Sequence, residues 1–158
     1  SEMCIRDRME EDESQKISNK KLNEQSSMRK KYSNSRGKKK VTSDYFHGVV
    51  FQDPIIVAPE PSRVRAIKVS FEPKARTAWH THPLGQTLFV LSGIGLVGLR
   101  NKAPQIINVG DTVWIAPNEE HWHGATKENS MEHIAIHETI NGQVANWLEQ
   151  VLDIDYNI

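Results

Sequence analysis

The sequence has a single cysteine, Cys4, which lies near the N-terminus. An intrachain disulfide is therefore excluded, and nothing in the sequence requires an oxidising compartment. The chain also has no apolar run near the roughly 18 residues that span a bilayer, and its first residues contain no hydrophobic signal core. We therefore expect a cytoplasmic protein that has no membrane partner.

The chain also lacks an overall excess of charge, because 20 basic side chains balance 20 acidic ones. The balance is uneven along the sequence: residues 1–40 contain 12 Lys and Arg against 7 Asp and Glu, whereas residues 41–158 contain 8 against 13. Residues 1–40 also contain few large apolar side chains, so this basic, polar tail is predicted to be disordered. Residues 41–158 are enough for one domain with a hydrophobic core.

The composition of the tail raises two further points. Its opening run, SEMCIRDR, resembles translated sequencing-adaptor sequence, and a non-native origin of this run would place the start at Met9 or Met28. The basic run over residues 28–31 has the charge to bind nucleic acid or anionic lipid. A solvated leader explains this run more simply, so we expect no nucleic-acid partner.

The predicted domain consists of short stretches of alternating apolar and polar residues separated by turn residues. Ile67, Val69 and Phe71, for example, fall on one face of an extended segment. Short strands at such regular spacing predict an all-β barrel or jelly roll. Asp53-Pro54 is predicted to end the first strand, because proline cannot donate a ladder hydrogen bond, and residues 92–95 are predicted to form a hairpin.

The end of the chain has a different pattern. Val144, Trp147, Leu148 and Val151 recur at helical spacing, which predicts a short amphipathic C-terminal helix over residues 142–152. We expect Trp147 and Leu148 to anchor this helix by packing and not to belong to a functional site.

One segment and one distant histidine predict a metal site. His80 and His82 are two residues apart, so on an extended strand both imidazoles point to the same side. Gln86 follows after a short turn and opens the next strand, and an antiparallel barrel can return His121 to the same place. Three imidazole nitrogens and one amide oxygen are thus predicted to bind one divalent metal ion.

These residues resemble the two motifs of the cupin family. In the first motif, a His-x-His pair is followed after three residues by a carboxylate; here Gln86 takes that place, and Lys74 replaces the glycine that usually opens the motif. The second motif is matched by Gly110-Asp111, Pro117 and His121. Asn118 stands where glycine is usual, a substitution that a left-handed turn tolerates. The resemblance implies a cupin jelly-roll barrel.

The resemblance covers roughly residues 46–156 and is closer to the small bacterial cupins similar to manganese-dependent (R)-hydroxynitrile lyases. The runs that carry it are FEPKARTAWHTHPLGQTL, GDTVWIAP, HWHGA and HIAIHE. The resemblance implies manganese or iron, of which we expect manganese, whereas the ligand types alone suit Mn, Fe, Ni, Co, Cu or Zn. Because Gln86 is neutral, no protein ligand compensates the charge of the ion, which should increase its Lewis acidity.

Three further histidines are predicted to face the metal site. His123 follows His121 by two residues on a strand, while His133 and His137 are separated by an even number of positions and so share a face. In the resembling lyases, the positions that match His123 and His133 lie in the active site, whereas His137 is a departure. We predict that these three side chains carry protons during catalysis.

Two classes of function remain open. The enzyme hypothesis is a metal-dependent carbon–carbon lyase of the hydroxynitrile type that acts on small carbonyl or hydroxy compounds, with an iron-dependent cupin dioxygenase as its alternative. The other hypothesis is a non-catalytic cupin that binds a metal or small ligand, which the fold alone does not exclude. In either class we expect a small-molecule partner and a homodimer or homotetramer.

Overall fold

The structure is a computed structural model that describes residues 28–156. Cys4, the alternative start at Met9 and the predicted disorder of residues 1–27 lie outside the described residues. The chain divides into two units, residues 1–35 and residues 36–158; in the first, Ser33–Ser35 forms a 3-10 turn. No helix within residues 28–156 has the length and apolar character needed to cross a bilayer.

Antiparallel strands dominate the second unit, which confirms the predicted all-β fold. The described residues form twelve strands and a final helix: β1 (Lys39–Lys40), β2 (Phe46–His47), β3 (Val50–Val57), β4 (Val64–Phe71), β5 (Arg76–Thr77), β6 (His80–Thr81), β7 (Gln86–Leu99), β8 (Gln105–Asn108), β9 (Thr112–Ile115), β10 (His121–Ala125), β11 (Met131–Glu138), β12 (Asn146–Trp147) and α1 (Asp153–Tyr156). Lys39 and Lys40, which the sequence assigns to the tail, pair with Gln52 and Phe51 of β3.

The strands form a curled antiparallel sheet whose two halves share β7. One half has the order β1-β3-β4-β11-β7, and β9 pairs with the same part of β7. In the other half, the later part of β7 pairs with β8 and β10, and β10 also pairs with β5 and β6. Strands β2 and β12 extend this half by pairing with β5 and β6. Both halves contribute side chains to one cavity.

The hairpin predicted at residues 92–95 is wrong, because β7 runs without interruption through 14 residues. Gly93 has a φ of +76°, and a Cβ at this position would lie 1.8 Å from the carbonyl oxygen of Ser130. The pairing with β11 also shifts register at Leu91, two residues before this glycine. Gly93 therefore lies where β7 passes from the first half of the sheet to the second. Only a residue without a Cβ fits there, because the backbone at Ser130 approaches it closely.

The strand end predicted at Asp53-Pro54 is also wrong, because β3 continues to Val57. Pro54 pairs with Ile67 of β4, and the register then shifts before Ile56. A bulge at this point accommodates the missing proline N–H, so the strand does not have to end.

The helix predicted over residues 142–152 is wrong in position, since the structure has strand β12 there and a helix of only four residues after it. The extended segment is fixed by two backbone bonds, from Leu148 N to Trp79 O at 2.8 Å and from Trp79 N to Glu149 O at 2.9 Å. The apolar side chains at helical spacing therefore do not share one face. Trp147 lines the cavity, whereas Val151 belongs to the core cluster that contains Trp79.

A buried arginine anchors the end of the chain. The Arg76 guanidinium is only 3% exposed and donates hydrogen bonds to the Val151 carbonyl and to Asp153, both at 2.9 Å. It also lies over the Tyr156 ring, 4.2 Å from the ring centroid. These contacts satisfy a charge that would otherwise be costly to bury, and they hold the C-terminal segment against the sheet.

We expect Gly93→Ala to destabilise the protein more than Gly110→Ala. Both glycines have positive φ values, but a Cβ at Gly110 would meet nothing within 4 Å. Gly110→Ala should therefore cost only the conformational strain, about 1–2 kcal/mol, whereas the clash at Gly93 should add about 1–3 kcal/mol. Urea unfolding of both variants measures the difference, and equal losses would contradict the close approach at Gly93.

Candidate functional site

The predicted pair of histidines lies side by side at one end of the cavity. His80 belongs to β6 and His82 follows it, and the two side chains are only 1% and 3% exposed. Both imidazoles line the cavity, whereas Thr81 between them lines a separate surface depression. The alternation expected of an extended segment is thus present.

His121 and Gln86 complete this group from two other strands. In the antiparallel pairing of β10 with β6, His121 stands directly opposite His80. The ligand nitrogens of His80, His82 and His121 all lie within 4.8 Å of one another. Gln86 opens β7 and places its Oε1 atom 3.1 Å from His121 Nε2. The four residues predicted as metal ligands therefore meet at one buried point.

Backbone carbonyls set the tautomer of all three imidazoles. Each Nδ1 atom lies within hydrogen-bond distance of a carbonyl oxygen: His80 to Ala78 at 2.9 Å, His82 to Val144 at 2.8 Å and His121 to Glu119 at 2.9 Å. A carbonyl can only accept, so in each neutral ring Nδ1 carries the hydrogen and Nε2 presents a lone pair. This is the usual support for a metal-binding histidine.

Among the described residues, no N–H or O–H group donates a hydrogen bond to the Nε2 atoms of His82 and His121. His82 Nε2 is buried and has no hydrogen-bond partner among the described residues. His121 Nε2 faces Gln86 Oε1, so that two acceptors approach each other. A divalent cation among these atoms would satisfy both, and imidazole nitrogen with amide oxygen is a suitable donor set for one. The residues present therefore fit a metal ion.

Burial keeps these imidazoles neutral. Desolvation lowers the pKa of His80 well below its ordinary value, and it lowers the pKa of His121 to about 4. The pKa of His82 is lowered for the same reason, against an upward effect of its bond to Val144. Protons therefore compete little for the three nitrogens near pH 7, which favours metal binding.

His123 and His133 form a buried pair next to this centre. His123 lines the cavity from β10, and its Nδ1 atom lies 2.9 Å from His133 Nε2. His123 Nε2 has no partner among the described residues. His133 is fully buried but does not line the cavity, and it packs against Phe71 with ring centroids 5.4 Å apart. His133 thus reaches the cavity only through His123.

His137 lies on the opposite side of the metal ligands. Its ring stacks on His82 at a centroid distance of 5.0 Å, and it lines the cavity. Burial lowers its pKa to about 4, and the positive charge of Arg65 acts in the same direction. The structure therefore brings all three additional histidines to the site, two of them in direct contact with the cavity.

Trp147 is a site residue that the sequence pattern did not identify. Its ring stacks on His80 with a centroid distance of 4.5 Å, and Tyr45 stacks on it at 4.7 Å. Trp147 stands opposite His80 because β12 pairs with β6. Helical spacing pointed to a packing role, and only the pairing of β12 with β6 brings this ring to the cavity.

The cavity has a volume of about 630 Å³ and a mainly apolar lining. Ile56, Ile67, Val69 and Ala135 supply aliphatic surface from β3, β4 and β11. The polar part of the lining consists of the histidine cluster with Gln86, and of Gln52, Arg65, Thr77 and Gln143. A cavity of this size and character is typical of a site for a small organic molecule.

Residues 67–137 match the family model described as the cupin domain. The chain is 47% identical over 122 residues to a protein of Granulicella tundricola named (R)-mandelonitrile lyase, and the match covers 77% of this chain and 93% of that protein. The chain therefore belongs to the cupin family. Within it, the chain resembles the hydroxynitrile lyase cupins.

Solved structures agree with this assignment. A cupin-like protein from Thermotoga maritima is 38% identical, with a TM-score of 0.72, over 77% of this chain and 91% of that chain. A polyketide cyclase from Streptomyces resistomycificus has a TM-score of 0.64 at 15% identity, over 82% of this chain and 90% of that chain. The second likeness shows the fold alone.

We expect His82→Ala and His121→Ala each to retain less than about a tenth of the metal bound by the parent protein, because either change removes one ligand and breaks the geometry. His47→Ala removes an exposed histidine of β2 and is the matched control. Metal analysis of the purified proteins decides this, and a full equivalent of metal in both site variants would refute the centre.

Proposed function

We propose that this protein is a metal-dependent lyase of the hydroxynitrile type, which cleaves small cyanohydrins to a carbonyl compound and cyanide. The observation that supports it most is the Nε2 atom of His123, which has no hydrogen-bond partner in the described part of the chain; His123 lines the cavity beside three imidazoles and Gln86. The similarity to a protein named (R)-mandelonitrile lyase points to the same reaction class.

We propose manganese as the resident metal, held by His80, His82, Gln86 and His121. The ligand atoms alone would also accept the other divalent first-row metals, whose occupancy depends on supply as well as on affinity. When bound, the ion would supply Lewis-acid stabilisation to the substrate oxygen, and this should be strong because all four ligands are neutral. Within residues 28–156, no carboxylate lies among the side chains that line the cavity.

His123 is the proposed base. Its Nε2 atom is free to accept a proton when Nδ1 carries the ring hydrogen and donates it to His133 Nε2, at the observed 2.9 Å. Burial holds the pKa of His123 well below its ordinary value, so the ring is neutral near pH 7 and its Nε2 lone pair is available. His133 acts as a positioning residue that fixes the ring and its tautomer.

The proposed reaction moves one proton and two electron pairs. His123 Nε2 takes the proton from the cyanohydrin hydroxyl, and the oxygen forms a carbonyl double bond. The bond between this carbon and the nitrile carbon breaks, and its electron pair leaves with cyanide. The organic group of the substrate packs against the aliphatic lining of Ile56, Ile67 and Val69. The apolar lining limits competing water, and the histidines confine proton transfer to one end of the cavity.

We expect His123→Ala to keep its metal and to lose about a hundred- to ten-thousandfold in turnover of mandelonitrile, the usual contribution of a positioned base. Metal content and cyanide release are measured on the same preparation, with His47→Ala as the matched control. If metal and activity fall together, His123 is a fifth ligand. Unchanged turnover with full metal would contradict its role as the base.

The same preparations separate the lyase from the alternative dioxygenase. Oxygen uptake with the iron-loaded protein would favour the dioxygenase, whereas cyanide release from mandelonitrile by the manganese-loaded protein, without oxygen uptake, supports the lyase. Neither activity with either metal would favour a cupin that only binds a metal or small ligand.

A further inference from the structure

We propose that the natural substrate carries a carboxylate, which Arg65 binds in the cavity, two strands away from Gln86 of the proposed metal centre. This inference deepens the proposed function by naming the substrate class. It rests on the proposed function for the reaction, but not for the binding of the carboxylate.

The sheet places Arg65 in line with the metal centre. Arg65 of β4 stands opposite His137 of β11, and His137 stands opposite Gln86 of β7. Neighbouring strands are about 4.8 Å apart, so two strand spacings, roughly 10 Å, separate the backbones of Arg65 and Gln86. The side chains of Arg65 and Gln86 both line the cavity. One small molecule can therefore contact the metal ligands with one end and the guanidinium with the other.

Arg65 has no acidic partner among residues 28–156, since no carboxylate there forms an ion pair with its guanidinium. Glu60 lines an adjoining surface depression with Arg65 but makes no such pair. In contrast, Arg76 and Arg100 both have acidic partners. Arg65 is half-buried and is the one formally charged side chain that lines the cavity in the described part of the chain.

The whole cavity therefore favours an anion. Its lining includes no aspartate or glutamate, and the proposed metal ligands add none. A guanidinium can donate two parallel hydrogen bonds to a carboxylate, which gives direction as well as affinity. A substrate anchored in this way would present its hydroxyl or carbonyl group to the metal ligands and His123, with its middle part against the aliphatic lining.

The probes are 4-formylbenzoate and its methyl ester, which differ in charge but share the benzene ring and the carbonyl group. Isothermal titration calorimetry with the metal-loaded protein compares their binding to the parent, to Arg65→Gln and to Arg63→Gln. Arg63 is exposed, is absent from the cavity lining and is the matched control. Circular dichroism and metal content verify that each variant is folded and loaded.

We expect the parent and Arg63→Gln to bind 4-formylbenzoate about 10- to 100-fold more tightly than the ester, as for hydrogen bonds to a charged group. Arg65→Gln should lose this preference and bind the ester as before. Equal binding of the two probes by the parent, binding of neither, or a preference that persists in Arg65→Gln would overturn the proposal.

A kinetic comparison separates this inference from the proposed function. The cyanohydrins of the two probes are offered to the parent and to Arg65→Gln, and kcat/KM should favour the charged one only in the parent. If neither cyanohydrin is cleaved while the calorimetric preference depends on Arg65, the lyase reaction is wrong and the carboxylate site stands. Cleavage of both without any preference would instead overturn the carboxylate site alone.

Discussion

The site depends on three hydrogen bonds from imidazole Nδ1 atoms to backbone carbonyls. Each bond holds one ring in a fixed orientation and tautomer, so that three Nε2 lone pairs meet at one point. Backbone carbonyls are suited to this role because they cannot donate and because the fold fixes their positions. The lone pairs are thus in place before a cation binds, which reduces the cost of ordering the ligands.

The C-terminal segment belongs to the site because it supplies one of these carbonyls. Val144 accepts the His82 hydrogen bond, and Trp147 of the same segment stacks on His80. The buried Arg76 guanidinium holds the following residues through Val151 and Asp153. A contact well away from the cavity therefore supports the orientation of His80 and His82, and a loosened C-terminus should weaken the proposed metal centre as well as the fold.

Residue spacing and strand alternation were enough to predict which side chains the structure brings together at the site. His80 and His82 are two residues apart, so their side chains share a face on an extended backbone. His121 lies opposite His80 because β10 pairs with β6 in an antiparallel arrangement. The same spacing placed His123 inward. The left-handed turn predicted at Asn118 is also present, with a φ of 60°.

What the sequence did not predict depends on partners that are distant in the chain. The glycines of residues 92–95 are typical of a hairpin, and only the close approach of Ser130 to Gly93 explains why a glycine lies within a continuous strand. Trp147 and Val151 have helical spacing, but backbone bonds to Trp79 keep this segment extended. The position of Arg65 relative to Gln86 likewise follows from the order of three strands, which no local periodicity contains.

The central claim is that the backbone presets the three ligand tautomers, and long-range ¹H–¹⁵N correlation spectroscopy of the metal-free protein tests it most directly. With the rings assigned through single histidine substitutions, His80, His82 and His121 should each show a protonated Nδ1 and an unprotonated Nε2 at pH 7. A protonated Nε2, or a mixture of tautomers in exchange, at any of the three would contradict the account.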